Sequence, residues 1–285
     1  MKHLGKLFKK YRVSRGLTLR DVAEAGISTS QLSRFEQGKT DLTITKFALA
    51  LDEINVPIDE FMSAVCDSYP VALHELLEKL YSMKEVASLE DLLVEELSKT
   101  DVNQTFQRLN TTLIKLQLQR VSGKSYNTTD DMTYLTEYLF SVENWGCYEL
   151  LIFMNALDAF SHKTLMALAE ELNQRTALYK EISENRRLTL LVLLNAYLIC
   201  IERDEWTDAL FFEKALTNMA LNETELYERI VFHYAKALYQ FKYAQDKNAI
   251  SEMENCIAIM RLVSSDKLAQ KFENHLTQTL ALSGE

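Results

Sequence analysis

Glycine and proline are scarce in this chain, seven and two in 285 residues, about a quarter of the roughly 12% that the pair contributes to an average protein. An all-β sandwich or barrel, which needs turn residues every 8 to 12 positions or so, is thereby disfavoured, as is a doubly wound sheet with glycine-rich loops. Long apolar runs are also missing. The longest, Leu190 to Ile201, is interrupted by Asn195 and falls short of the roughly 18 residues of a membrane span. The first ten residues carry charge with no apolar segment behind them, so no secretory signal and no membrane partner are expected, and the expected location is cytoplasmic. The four cysteines, Cys66, Cys147, Cys200 and Cys256, form no CxxC pair and are expected to be free thiols used as small buried apolar groups.

Catalytic signatures are equally absent. There is no glycine-rich phosphate loop, and His74-Glu75-Leu76-Leu77-Glu78 places a carboxylate where a zinc protease motif needs its second histidine. Neither an enzyme nor a bound metal or cofactor is expected.

What remains is 47% apolar and 25% charged residues, the balance of a folded protein, and the scarcity of glycine and proline makes an all-α fold the expectation. The net charge of -10 is divided unevenly. Residues 1–46 hold ten Lys and Arg against four acids, +6, and the rest of the chain carries -16. A cationic head on an anionic body suggests that only one end meets a polyanion.

Within that head, Leu19, Val22 and Ala23 have the i, i+3, i+4 spacing of a short helix over residues 18–25, with Thr18 as N-cap. Gly26 suits the left-handed residue that ends it, and Ile27 turns inward. Ser28 and Gln31 have capping-box spacing for a second helix ending at Gly38. A helix, a glycine-containing turn and a helix make the DNA-binding unit. Leu32 and Phe35 then face inward, while Ser28, Thr29, Ser30, Ser33 and Arg34 lie on the face offered to bases, Arg34 being suited to two-point pairing with guanine. Lys10, Arg12, Arg15 and Lys39 are expected on phosphates.

The segments Leu17-Thr18-Leu19-Arg20-Asp21-Val22-Ala23 and Gly26-Ile27-Ser28-Thr29-Ser30-Gln31-Leu32-Ser33-Arg34-Phe35-Glu36-Gln37-Gly38 resemble the helix-turn-helix of phage-repressor (Cro/CI) regulators. The resemblance implies a five-helix domain over residues 1–66, its last two helices at 46–51 and 58–65, separated at Val56-Pro57. It also implies double-stranded promoter DNA as partner.

From Tyr69-Pro70 onward, residues 67–285 read as successive amphipathic helices. Breaks are expected near Ala87-Ser88, Asp101, Ser122-Gly123, 144–146, Ser161, Ser183, Asp204, Asn222, Asp246 and Ser265. Helix starts near 103, 146, 183, 223 and 266 give the spacing of two-helix repeats, so a TPR-like α-solenoid with a concave face is expected. Asn155 and Asn195 interrupt apolar helices 40 residues apart. Carboxamides on one face of successive repeats offer donors and acceptors to an extended peptide backbone, although an isolated asparagine more often bonds a neighbouring helix end. One repeat further on stand His233 and Tyr234.

The stretch Tyr138-Leu-Phe-Ser-Val-Glu143-Asn-Trp145-Gly146-Cys-Tyr148-Glu149-Leu150, with Leu193-Leu194-Asn195, Cys200-Ile201-Glu202 and Tyr227-Glu228-Arg229, resembles the Rgg (Rgg/GadR/MutR) regulators. The resemblance implies a cytosolic homodimer that binds promoter DNA and responds to a short hydrophobic signalling peptide, by altered DNA affinity or by recruiting RNA polymerase. Asn155 and Asn195 would hold the peptide backbone, Phe153, Leu191 and Leu198 would line side-chain pockets, and Arg186 or Arg187 would meet its carboxylate. The other reading keeps the DNA-binding head and makes the body a dimerisation or docking scaffold without a ligand. Because one helix-turn-helix covers only a half-site, a dimer is expected in any case, with residues 262–280 as its contact.

Overall fold

The computed structural model describes residues 2–23, 26–66, 72–179 and 181–283, with side-chain environments for 4–23, 26–65, 73–179 and 181–282. The expected end at Ala25 of the short helix that starts at Thr18, the Cys66 side chain and the Tyr69-Pro70 start of the body lie outside the described residues. Among those described, all regular structure is helical, and the chain divides into two compact units, Met1–Lys79 and Leu80–Glu285.

The first unit contains α1 (Lys2–Ser14), α2 (Leu19–Ala23), α3 (Thr29–Glu36), α4 (Ile44–Glu53) and α5 (Ile58–Cys66). The caps follow the sequence. Thr18 Oγ1 accepts from the Asp21 amide while Asp21 Oδ2 accepts from the Thr18 amide, 3.4 and 2.6 Å, and Ser28 Oγ accepts from the Gln31 amide at 3.1 Å. The return half of the second box is not made. Gln31 instead accepts from Lys46 Nζ at 3.1 Å, which ties α3 to α4. Phe8, Val22, Ile27, Leu32, Phe35, Leu51, Ile54 and Phe61 fill the core. α1 and α3 meet at Gly5, where an added Cβ would stand 1.9 Å from the Phe35 carbonyl oxygen. Only glycine permits that approach.

α6 (Ala72–Ser82) contains the division between the units, and α7 (Val86–Ser98), α8 (Gln104–Ser122), α9 (Thr129–Ser141), α10 (Cys147–Ala156), α11 (His162–Arg175), α12 (Ser183–Glu202), α13 (Trp206–Asn218), α14 (Leu226–Ala244), α15 (Asn248–Leu262) and α16 (Asp266–Ser283) follow. One expected break is corrected. Ala87 and Ser88 lie inside α7, and the interruption falls at 83–85, where Glu85 is already extended. Serine permits a helix start but does not impose one.

Within the second unit, α8, α10, α12 and α14 pack successively on one another. These helices and α16 start at 104, 147, 183, 226 and 266, so the repeat spacing in the sequence marks every second helix. α7 pairs with α8, α13 with α12, and α15 with both α14 and α16. The body is a stack of helix hairpins. No described helix is long and apolar enough to cross a membrane.

Candidate functional site

α3 carries most of the residues expected to face DNA. Thr29, Ser30 and Arg34 are exposed, as are Arg15 in the turn after α1 and Lys39 in the turn after α3. Ser33 is half-buried, its hydroxyl accepting from Gln37 Nε2 at 3.1 Å. Ser28 is exposed but spends its oxygen on capping α3. Arg15 Nη1 donates to the Tyr11 carbonyl at 3.3 Å and lies over the Tyr11 ring.

Arg12 departs from expectation. Its side chain is 8% exposed and pairs with Glu36, Nε to Oε1 at 2.6 Å and Nη2 to Oε2 at 2.8 Å, while Nη1 donates to the Leu17 carbonyl. A guanidinium spent on both oxygens of a buried carboxylate and on a backbone carbonyl is a structural strut rather than a phosphate contact. Charge counting could not see this, because Glu36 lies 24 residues away in sequence.

The second site lies in the helical body. A cavity of about 470 Å³ is lined by both Asn155 of α10 and Asn195 of α12, together with Leu198, Tyr81, Arg120, Tyr227, Lys271 and His275. Counted from the helix starts, Asn195 sits four residues further along α12 than Asn155 along α10. Four residues are close to one turn, so the same face is presented.

The two asparagines are held differently. Asn155 Oδ1 accepts from the Tyr81 hydroxyl at 2.8 Å, and its Nδ2 donates to the Leu151 carbonyl at 2.8 Å. Asn195 is exposed to the cavity and makes no hydrogen bond with the described residues. Arg120 donates to the Asn155 carbonyl and pairs with Asp158. Burial alone would push the Asp158 carboxyl up, but the Arg120 guanidinium outweighs it and holds the group below its ordinary range. At the α16 end, His275 bridges Glu202 Oε1 at 2.9 Å and the Tyr234 hydroxyl at 2.8 Å.

Five further residues expected at a peptide are placed elsewhere. Phe153 is fully buried against Trp145 and Phe160, with ring centroids 5.3 and 5.8 Å away. It stands two residues, about 200°, from Asn155 and so points away from the cavity. Tyr234 is also fully buried, bonded to His275 and packed on Phe272. His233 lines a different cavity of about 750 Å³, among Ile230, Phe232, Lys236 and Ile259. Arg186 pairs with Glu225 at 3.1 Å and donates to the Met219 and Ala220 carbonyls. Leu191 is half-buried and does not line the Asn155–Asn195 cavity.

The α14 residues that line the Asn155–Asn195 cavity are Tyr227 and Val231, one turn apart, and His233 and Tyr234 are not among its lining residues. Tyr81, Arg120, Tyr227, Lys271 and His275 carry no sequence signal of their own, being single polar positions on separate helices.

A basic helix-turn-helix joined to a hairpin stack with a polar-lined cavity defines a helix-turn-helix transcription regulator with a helical control domain. Residues 8–61 match the helix-turn-helix family model, and residues 92–274 match that of the HTH-type transcriptional regulator Rgg, C-terminal domain. The chain belongs to the Rgg family of transcriptional regulators. It is similar to the Streptococcus dysgalactiae SHP pheromone receptor Rgg2 at 26% identity and TM-score 0.80, over 97% of this chain and 99% of that one. A Listeria monocytogenes EGD-e structure is similar at 20% identity and TM-score 0.85, over 99% and 98% of the two chains. PrgX in complex with cCF10 shares the fold at 14% identity and TM-score 0.77, over 99% and 93%.

Proposed function

We propose that this regulator acts in the cytoplasm as a homodimer on promoter DNA, and that a short, mainly apolar peptide bound in the Asn155–Asn195 cavity sets its output. The observation that carries this reading is the convergence of two carboxamides from successive repeats on one cavity of about 470 Å³. Asn195 has both its donor and its acceptor free among the described residues, which is what an extended backbone leaving water requires. Leu198 supplies an apolar wall beside it. The 26%-identical Rgg2 structure is named as a pheromone receptor, which supports the same class of ligand here.

On the DNA side, Arg34 reads a base edge, Thr29, Ser30 and Ser33 flank it, and Arg15 and Lys39 contact phosphates. One helix-turn-helix covers only a half-site, so a second copy completes the operator. Exposed Leu262 and Val263 at the end of α15, 84% and 59% accessible, support a contact between copies there. The peptide controls transcription through unequal affinity for two arrangements of the dimer, or through the surface shown to RNA polymerase.

The test uses pooled synthetic apolar octapeptides in a thermal-shift screen of the full chain, since a ligand that binds only the folded state raises its melting temperature. A stabilising pool is expected for the wild type and no shift for Asn195→Ala, with binding to duplexes selected from random DNA preserved in the variant. A pool that shifts both proteins equally removes Asn195 from the site. Failure of every pool overturns peptide control.

A further inference from the structure

Away from the peptide cavity, His162, the first residue of α11, faces Glu205 and Asp208 at the start of α13. His162 Nδ1 lies 3.1 Å from Glu205 Oε2 and 3.0 Å from Asp208 Oδ2, and the three donor atoms all lie within 4.8 Å of one another. Two donors on a tetrahedral ion with bonds of about 2.0–2.1 Å stand about 3.3 Å apart, so the spacing already approaches that of a coordination sphere. A proton serves the cluster poorly. Nδ1 carries at most one, and it cannot point along both carboxylate directions. Glu205 Oε2 is shut off from solvent and makes no hydrogen bond.

The surrounding chain holds these groups in place. Arg203 donates to the carbonyls of Asp158 and Phe160, just before His162, at 2.8 and 3.2 Å. Lys242 donates to the Ile201 carbonyl and pairs with Asp204, and the Glu205 amide donates to the Cys200 carbonyl at 2.8 Å. Two carboxylates against the nearby Arg203 leave the cluster anionic when the imidazole is neutral. Glu205 and Asp208 are each 19% exposed, and His162 is 53% exposed, which gives an ion an entry path and room for water.

We propose that His162, Glu205 and Asp208 form a binding site for a first-row divalent ion of the Zn²⁺ class, fastening the start of α11 to the start of α13. One imidazole and two carboxylates suit such a borderline ion. The donor atoms that converge are those of these three side chains, with no thiol in the set. Water completes the sphere on the open side of His162.

The test titrates the full chain, stripped with EDTA and dialysed, with Zn²⁺ by calorimetry and with Co²⁺ by absorption. One equivalent is expected, with Co²⁺ giving visible d–d bands and no thiolate charge-transfer band in the near ultraviolet. His162→Ala and Asp208→Asn should each weaken binding by about tenfold or more while keeping the helical circular dichroism. Asp208→Asn, nearly isosteric, decides the matter should His162→Ala not fold. Absence of saturable binding at millimolar Zn²⁺, or equal affinity in the wild type and Asp208→Asn, overturns the site and leaves a proton-bridged ion cluster. A thiolate band would overturn the ligand set.

Discussion

Arg12 of α1 and Glu36 at the end of α3 form a buried two-point ion pair, at 2.6 and 2.8 Å, with side chains 8% and 5% exposed. Removing one partner strands the other charge away from water, so Arg12→Ala should destabilise the first unit by about 3–5 kcal/mol in urea unfolding. Arg34→Ala, on the exposed face, should leave stability within about 0.5 kcal/mol and lower discrimination between operator and random duplex by about 1–3 kcal/mol. An Arg12→Ala protein of unchanged stability with a shallower salt dependence of DNA binding would return Arg12 to the phosphate contacts.

Gly5 decides how closely α1 and α3 approach. Because its Cβ would meet backbone atoms of Phe35 and Glu36 at 1.9 to 3.0 Å, Gly5→Ala forces the recognition helix to move rather than a side chain to rotate. The expected cost is about 1–3 kcal/mol or more, with weakened DNA binding and intact peptide response. Full DNA affinity in Gly5→Ala, measured by fluorescence anisotropy, would show that the helices can separate without consequence.

The two cavity asparagines should separate in stability measurements. Asn155→Ala removes the acceptor of the Tyr81 hydroxyl and a donor to the Leu151 carbonyl, and should lower unfolding free energy by about 1 kcal/mol. Asn195→Ala removes no described hydrogen bond and should leave stability unchanged. Equal stability losses would mean that Asn195 has a partner in the free protein.

Arg186 should matter to acid stability rather than to peptide. Burial would raise the Glu225 carboxyl, but the Arg186 guanidinium and the Asn222 amide outweigh it and hold it below its ordinary value of 4.5. With the folded value depressed, the stabilisation is complete above 4.5 and fades as pH falls through the folded value. Arg186→Ala should therefore lower the melting temperature at neutral pH and progressively less under acid, with peptide affinity unaltered. A constant difference at all pH values, or lost peptide binding, would contradict the pairing as the role of Arg186.

Much of the fold was legible from local chemistry. The caps Thr18 and Ser28, the turn at Gly26, and the starts of α8, α10, α12, α14 and α16 appear within a few residues of where the sequence placed them, because a cap satisfies backbone groups one turn away. Facing was harder. Leu32 and Phe35 were placed correctly by period, whereas Phe153 lies in a stretch apolar all round its helix, where period carries no direction. Tyr234 and His233 were placed by a repeat length that the chain does not keep constant.

Composition and spacing alone determined an all-helical chain, a cationic reader at one end and an acidic body built of helix pairs, since each rests on propensity, charge and bonds that close within a few residues. Only the tertiary structure decided that Arg12 is a strut, that Asn155 is already engaged while Asn195 is free, and that His162 meets Glu205 and Asp208. Those relationships join residues 24 to 74 positions apart, and their geometry depends on how whole helices pack, which no local pattern encodes.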